Sequence, residues 1–221
     1  MRGWLALAAV LALLSLGETL GARAVADPAA WTGALDWQPG RALAQPWRAW
    51  TAAGVHWSTG HLLGNLAAVA LVGALGHAAR VSGAAALAWC VAWPLTHLLF
   101  VPVAAFAPAR FAAHLPHYGG LSGVLHAGVV VVGLALWRRG AGRAPADAQA
   151  ARHERRERLV GLALLAGTAA KVLLEAPWDL ALRPDGLLGV GVAPIAHATG
   201  MVAGVLAGIL VPGITRHLRR R

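Results

Sequence analysis

Six long apolar runs divide this sequence, at roughly 4–21, 59–79, 83–106, 119–137, 159–174 and 187–212. Crossing a hydrocarbon core takes about 20 helical residues. Lipid offers no partner for backbone N–H and C=O groups, so a run of this kind must close its hydrogen bonds within itself, as a helix. With 58% hydrophobic and 13% charged residues over 221 positions, the expected fold class is an all-α membrane protein. The expected architecture is a six-transmembrane-helix bundle forming one domain across 1–221. Residues 1–26 have a second reading as a cleavable signal peptide, with Arg2, an apolar core and Ala22-Arg23-Ala24. The apolar core is long for a signal sequence, which favours a retained span.

The arginines set the orientation. Arg138, Arg139, Arg143, Arg152, Arg155, Arg156 and Arg158 lie between the fourth and fifth runs, diluted by Asp147, Glu154 and Glu157. Arg216, Arg219, Arg220 and Arg221 follow the sixth run, Arg80 follows the second, and Arg2 precedes the first. The positive-inside rule then puts both termini and a flexible loop, 138–158, in the cytoplasm. Segments 22–58, 107–118 and 175–186 face outward, across a bacterial plasma membrane. The net charge of +10 is therefore topological, and nucleic acid is not an expected partner. Cys90 is the only cysteine, which excludes an internal disulfide. The outer segment 22–58 carries Trp31, Trp37, Trp47, Trp50 and Trp57, and is expected to lie in the interface as an aromatic belt.

Against this background a few polar residues stand out. Ionisable groups inside spans are costly and mark function by default. His61 and Asn65 fall in the first, outer turns of span two, and Ser122 near the outer end of span four. His197 and Gly200 lie two or three turns into span six. All three spans run inward, so these side chains share one depth. A serine hydroxyl becomes a nucleophile when a base within hydrogen-bond reach takes its proton, and His197 suits that role. No carboxylate lies at matching depth in spans four or six, so a Ser–His dyad is expected rather than a triad. His61 and Asn65, one turn apart, can donate to an oxyanion. Gly119, Gly120 and Gly123 permit a tight approach to helix four. Gly200, Gly204 and Gly208 form a small-residue face on helix six.

These residues resemble those of the rhomboid intramembrane serine proteases. The matching pattern is Trp47-Arg48, then His56 and His61-Leu-Leu-Gly-Asn65, then Gly120-Leu-Ser122-Gly123, then His197-x-x-Gly200-x-x-x-Gly204, in family order over residues 47–210. The resemblance implies Ser122 as nucleophile, His197 as base, and His61 and Asn65 on the oxyanion side. His126 stands where rhomboids commonly place a tyrosine that stacks on the catalytic histidine. With the compact core, it makes the chain look like the rhombosortase branch, associated with processing exported proteins that carry a Gly-Gly-containing C-terminal tail. Lys171, the only lysine, and Glu175 also look like that branch, and otherwise read as a local i,i+4 ion pair. The implied partners are a membrane protein or exported-protein tail and the lipid bilayer.

His114 and His117 lack a third ligand at suitable spacing and read as loop residues. His77 and His97 read as structural, so no metal or cofactor is expected. The alternatives are a general rhomboid protease of other membrane substrates and a non-catalytic rhomboid-like protein that binds clients. A transporter is disfavoured by the absence of inverted repeats.

Overall fold

The computed structural model describes residues 2–139 and 145–218. Arg143 and Arg219–Arg221 of the charge pattern, and the side chain of Arg216, lie outside the described residues. The chain begins with α1 (Arg2–Ala24), followed by α2 (Pro28–Leu35) and the short α3 (Arg48–Thr51) of the first connecting segment. Then come α4 (Thr59–Ala78), α5 (Gly83–Leu98), α6 (Phe100–Phe106) and α7 (Pro108–His114). Helices α8 (Ser122–Trp137) and α9 (Ala148–Leu174) precede a two-stranded antiparallel hairpin, β1 (Arg183–Asp185) and β2 (Val190–Val192), and α10 (Pro194–Leu218).

Among the described residues, five stretches are long and apolar enough to cross a membrane: Arg2–Ala24, Thr59–Ala78, Gly83–Phe106, Ala148–Asp179 and Pro194–Thr215. The protein is thus helical and reads as a multi-pass membrane protein. Helix α8 is as apolar but has only 16 residues, about 24 Å at about 1.5 Å per residue.

Two expected boundaries are corrected. The sixth run does not become helix at 187. Asp185 Oδ1 accepts from the N–H groups of Leu187 and Leu188 at 2.9 and 3.1 Å, and Gly189 adopts φ +66°. Together they close a hairpin, so α10 starts at Pro194. The stretch 138–158 is not all loop, because α9 starts at Ala148, where the Asp147 side chain accepts from Ala150 N–H at 2.7 Å. Its Ala, Gln, Arg and Glu residues are strong helix formers. The third run keeps its expected extent, with a one-residue interruption at Leu99 between α5 and α6. Pro102 has no N–H to give to a carbonyl four residues back.

Helix α8 is the axis of the packing, with 11 of its residues buried against α4, α5, α9 and α10. Lipid tails are as apolar as leucine, so close backbone approach and hydrogen bonds hold such helices together. Trp4 and Trp89 stack with centroids 4.4 Å apart. Gly76 leaves room for the Trp4 indole and Gly128 for that of Trp89. The two indole N–H groups donate to Val72 O at 3.1 Å and Val124 O at 2.8 Å.

The first connecting segment is anchored rather than adsorbed. Buried Arg48 donates to Asp36 O, Gly33 O and Asp36 Oδ1 at 2.5, 2.9 and 3.1 Å. The same Asp36 carboxylate meets His117 Nδ1 at 2.6 Å. Trp37 corrects the belt expectation. It is fully buried against Phe100 and Phe111, while Trp31, Trp47, Trp50 and Trp57 remain exposed.

Candidate active site

The backbone ahead of Ser122 is tied down on both sides. Trp37 and Tyr118 exchange N–H···O bonds at 2.8 and 2.9 Å, and Gly120 N–H donates to Ala52 O at 2.9 Å. Gly120 sits at φ +128°, where a Cβ would lie 2.7 and 2.8 Å from the His61 ring atoms Cε1 and Nε2. Glycine is therefore needed twice over, for the dihedral and for the contact. This turn delivers Ser122 as the first residue of α8, where the leading N–H groups of a helix have no intrahelical acceptor.

Ser122 and His197 meet because two helix backbones touch. A Cβ on Gly200 would overlap the Gly123 carbonyl, and one on Gly123 would come within 2.6 Å of Ala196 O. Gly204 faces Ala127 in the same way, one turn further along. At this separation His197 Nε2 lies 3.1 Å from Ser122 Oγ. The histidine is buried, with 5% of its side chain exposed.

The other ring nitrogen meets a carboxylate that the sequence reading does not place there. His197 Nδ1 is 2.6 Å from Glu175 Oε2, on the residue that caps the C-terminal end of α9. The carboxylate comes from span five, outside the two spans in which the sequence finds none. The second oxygen, Oε1, accepts from Lys171 Nζ at 2.6 Å. Lys171 Nζ is also 3.4 Å from His197 Nδ1. Both atoms are donors when Nδ1–H is directed at Glu175, so that approach is a contact of a cation with the ring and not a hydrogen bond. Lys171 and Glu175 do form the i,i+4 pair anticipated, and that pair reaches the site.

His126 stacks on His197, with centroids 4.2 Å apart and planes 17° apart. Its Nδ1–H donates to Ser122 O at 2.8 Å, which fixes the ring and so supports one face of His197.

On the opposite wall, Asn65 is buried and its Nδ2 donates to His56 Nε2 at 3.0 Å. His56 Nδ1–H donates to Gly54 O at 2.8 Å, which fixes its tautomer and leaves Nε2 as an acceptor. Burial lowers the His56 pKa below its ordinary value of 6.5, so the ring is neutral and keeps that lone pair. The amide nitrogen of Asn65 faces Gly120, as the His61 ring does. The His61 Nδ1 atom is buried without a hydrogen-bond partner among the described residues.

Ser122, His197, Glu175, Lys171, His126, His61 and Asn65 all line one cavity of about 480 Å³, roofed by hairpin residues including Leu188, Val190 and Val192. Tyr118, which the sequence gives no reason to select, lines it too. Its hydroxyl donates to Gly120 O at 3.2 Å, and burial pushes its pKa up to about 12. A second cavity of about 420 Å³ between α4, α8 and α9 shares Ser122, Asn65, His126 and Lys171 and is otherwise apolar except for Thr168, with Leu71, Val72, Leu125 and Val129 among its walls.

Of the remaining histidines, His97 is buried with Nδ1 at 2.6 Å from Ala49 O. His117 belongs to the Asp36 network and reaches the cavity edge. Among the described residues no group of three or more His, Cys, Asp or Glu side chains could hold a metal ion. No family model matches this chain, and no curated protein is significantly similar to it.

Proposed function

We propose that the protein is an intramembrane serine endopeptidase of the rhomboid type, built on six spans with α8 as the fourth. Its substrate is a transmembrane or C-terminal tail segment of an exported protein, and the rhombosortase pattern favours a Gly-Gly tail. The observation that carries this reading is the line Ser122 Oγ–His197 Nε2–Glu175 Oε2, at 3.1 and 2.6 Å, in a cavity shared with His61 and Asn65. The arginine pattern supports a bacterial inner membrane location with both termini cytoplasmic and the site toward the periplasm.

Each group then has a defined task. Glu175 accepts from Nδ1–H and holds the tautomer whose Nε2 lone pair faces Ser122. As Ser122 Oγ attacks the scissile carbonyl, its proton passes to Nε2. The oxyanion forms on the wall where Asn65 Nδ2–H, His61 and the first N–H groups of α8 can donate. Collapse of the tetrahedral intermediate breaks the C–N bond. The departing amine takes the proton from His197, and water, activated by the same base, releases the acid. The apolar cavity beside Ser122 gives a hydrophobic segment a place next to the nucleophile. Lys171 holds Glu175 and offsets its charge, which is costly to leave alone at this depth.

The test is cleavage of a tail-bearing substrate by purified protein in proteoliposomes, paired with labelling by a fluorophosphonate. Wild type should cut and label, and Ser122→Ala should do neither. Equal cleavage by Ser122→Ala would overturn the assignment. Absence of labelling in folded wild type would favour a client-binding role. The mass of the product's new C-terminus separates hydrolysis from transfer to an amine.

A further inference from the structure

At the opposite end of α8 from Ser122, a cleft of about 300 Å³ opens between the α4–α5 connection, the end of α8 and α10. Its mouth is basic and its wall is apolar. Arg80, Arg138 and Arg139 stand at the mouth with Ser82, and Ala85, Val131 and Ala135 line the depth. Arg139 is committed, since it pairs with Glu157 and donates to the Ala79 carbonyl. Arg138 spends one N–H on Gly208 O at 2.9 Å and keeps its other donors. The exposed Arg80 side chain makes no hydrogen bond or ion pair among the described residues. Among the described residues, neither Arg80 nor Arg138 is paired with a carboxylate.

Arg80 also sits in an unusual place. It directly follows the α4 C-cap at φ +48°, and its N–H and that of Val81 close back on His77 O and Gly76 O at 2.9 and 3.1 Å. This is the left-handed position that ends helices, and glycine fills it at no steric cost. A long cationic side chain there is strained, and strain retained in a backbone points toward a task for the side chain.

We propose that this cleft binds an anionic glycerophospholipid. The headgroup phosphodiester would sit on Arg80 and Arg138, and an acyl chain along Ala85, Val131 and Ala135. Guanidinium groups bind phosphate oxygens through paired N–H donors, and basic pockets at the cytoplasmic ends of helices suit anionic headgroups. The apolar depth is what distinguishes a lipid from free phosphate. The site is remote from Ser122 and holds whether or not the protein is a peptidase.

Native mass spectrometry of the full chain in detergent, titrated with phosphatidylglycerol and phosphatidylethanolamine, tests this. We expect phosphatidylglycerol to be retained about tenfold more strongly, and inorganic phosphate in excess to leave it bound. Arg80→Gly should remove the preference while raising the thermal midpoint of the lipid-free protein, because it relieves the strained backbone. Arg80→Lys should keep most of the preference. Equal retention of the two lipids, displacement by inorganic phosphate, or an Arg80→Gly protein with unchanged preference would each overturn the proposal.

Discussion

Glu175 Oε2 lies 2.6 Å from His197 Nδ1, and its partner oxygen lies 2.6 Å from Lys171 Nζ. A carboxylate at the end of one helix is thereby shared between a neighbour on its own helix and an imidazole on another. Glu175→Gln would keep the shape and lose the charge. We expect kcat to fall by about 10²–10⁴-fold with KM nearly unchanged, as when a triad carboxylate is made neutral. Steady-state cleavage in proteoliposomes reads it. A loss under about threefold would mean that Ser122 and His197 suffice.

His126 and His197 are stacked with planes 17° apart. If the stack is what matters, His126→Phe should retain most activity and His126→Ala should lose about three- to tenfold, the worth of one aromatic pair. Equal loss in both would point instead to the hydrogen bond from His126 Nδ1 to Ser122 O.

Removing an oxyanion donor typically costs about 10²–10³-fold in kcat, and we expect that of Asn65→Ala. His56→Ala should give a smaller loss in the same parameter, because it frees the Asn65 amide without deleting it. Parallel kinetics of the two variants check the order. If His56→Ala were the worse in kcat, His56 would have a role beyond orienting the amide.

The same residue predicts a pH effect on stability. Burial depresses the folded pKa of His56 below 6.5, so the unfolded chain binds its proton more readily. The neutral ring's contribution is present above the unfolded pKa and is lost as pH falls toward the depressed folded value. Thermal midpoints should decline as pH falls below about 6.5, and His56→Gln should flatten part of that decline. An unchanged slope would show that His56 does not contribute.

Gly200→Ala places a methyl group on the Gly123 carbonyl and should lower the thermal midpoint by about 5–10 °C through overpacking. Gly167, with nothing within 4 Å of a built Cβ, is the internal control. Gly167→Ala should be neutral or stabilise by up to about 1 kcal/mol through helix propensity. Similar midpoints for the two variants would remove the close contact from the account.

The apolar runs make much of the helical layout legible. Ser58 before α4 and Asp147 before α9 are side-chain caps at helix starts, a signal that hydropathy does not carry. The stretch 187–193 defeated the reading because Leu, Val and Gly are apolar in a strand as in a helix. Only the turn at Asp185 and Gly189 decides between them. Ser122, His197, His61 and Asn65 were legible because polarity at one depth is rare. Glu175 reads, with Lys171, as a feature of the rhombosortase branch or as a local ion pair, and nothing in the sequence sets it beside His197. Its reach toward His197 depends on where α9 stops, and on backbone that folds back after it, with Ala176 and Leu180 at positive φ. Neither is written in a hydropathy pattern. Trp37 shows the converse: its residue type suits an interface, but the backbone pairing with Tyr118 draws it inside.

The contact of Gly123 with Gly200 has a further consequence. Where two reactive side chains are spaced by packed side chains, every repacking of the neighbourhood moves them. Here the spacing between α8 and α10 is gauged by main chain against main chain, which has no rotamers to exchange. The exposed face of α10 can then repack while the 3.1 Å between His197 Nε2 and Ser122 Oγ is kept. In a solvent as variable as a bilayer, the spacing of Ser122 and His197 takes its ruler from the backbone.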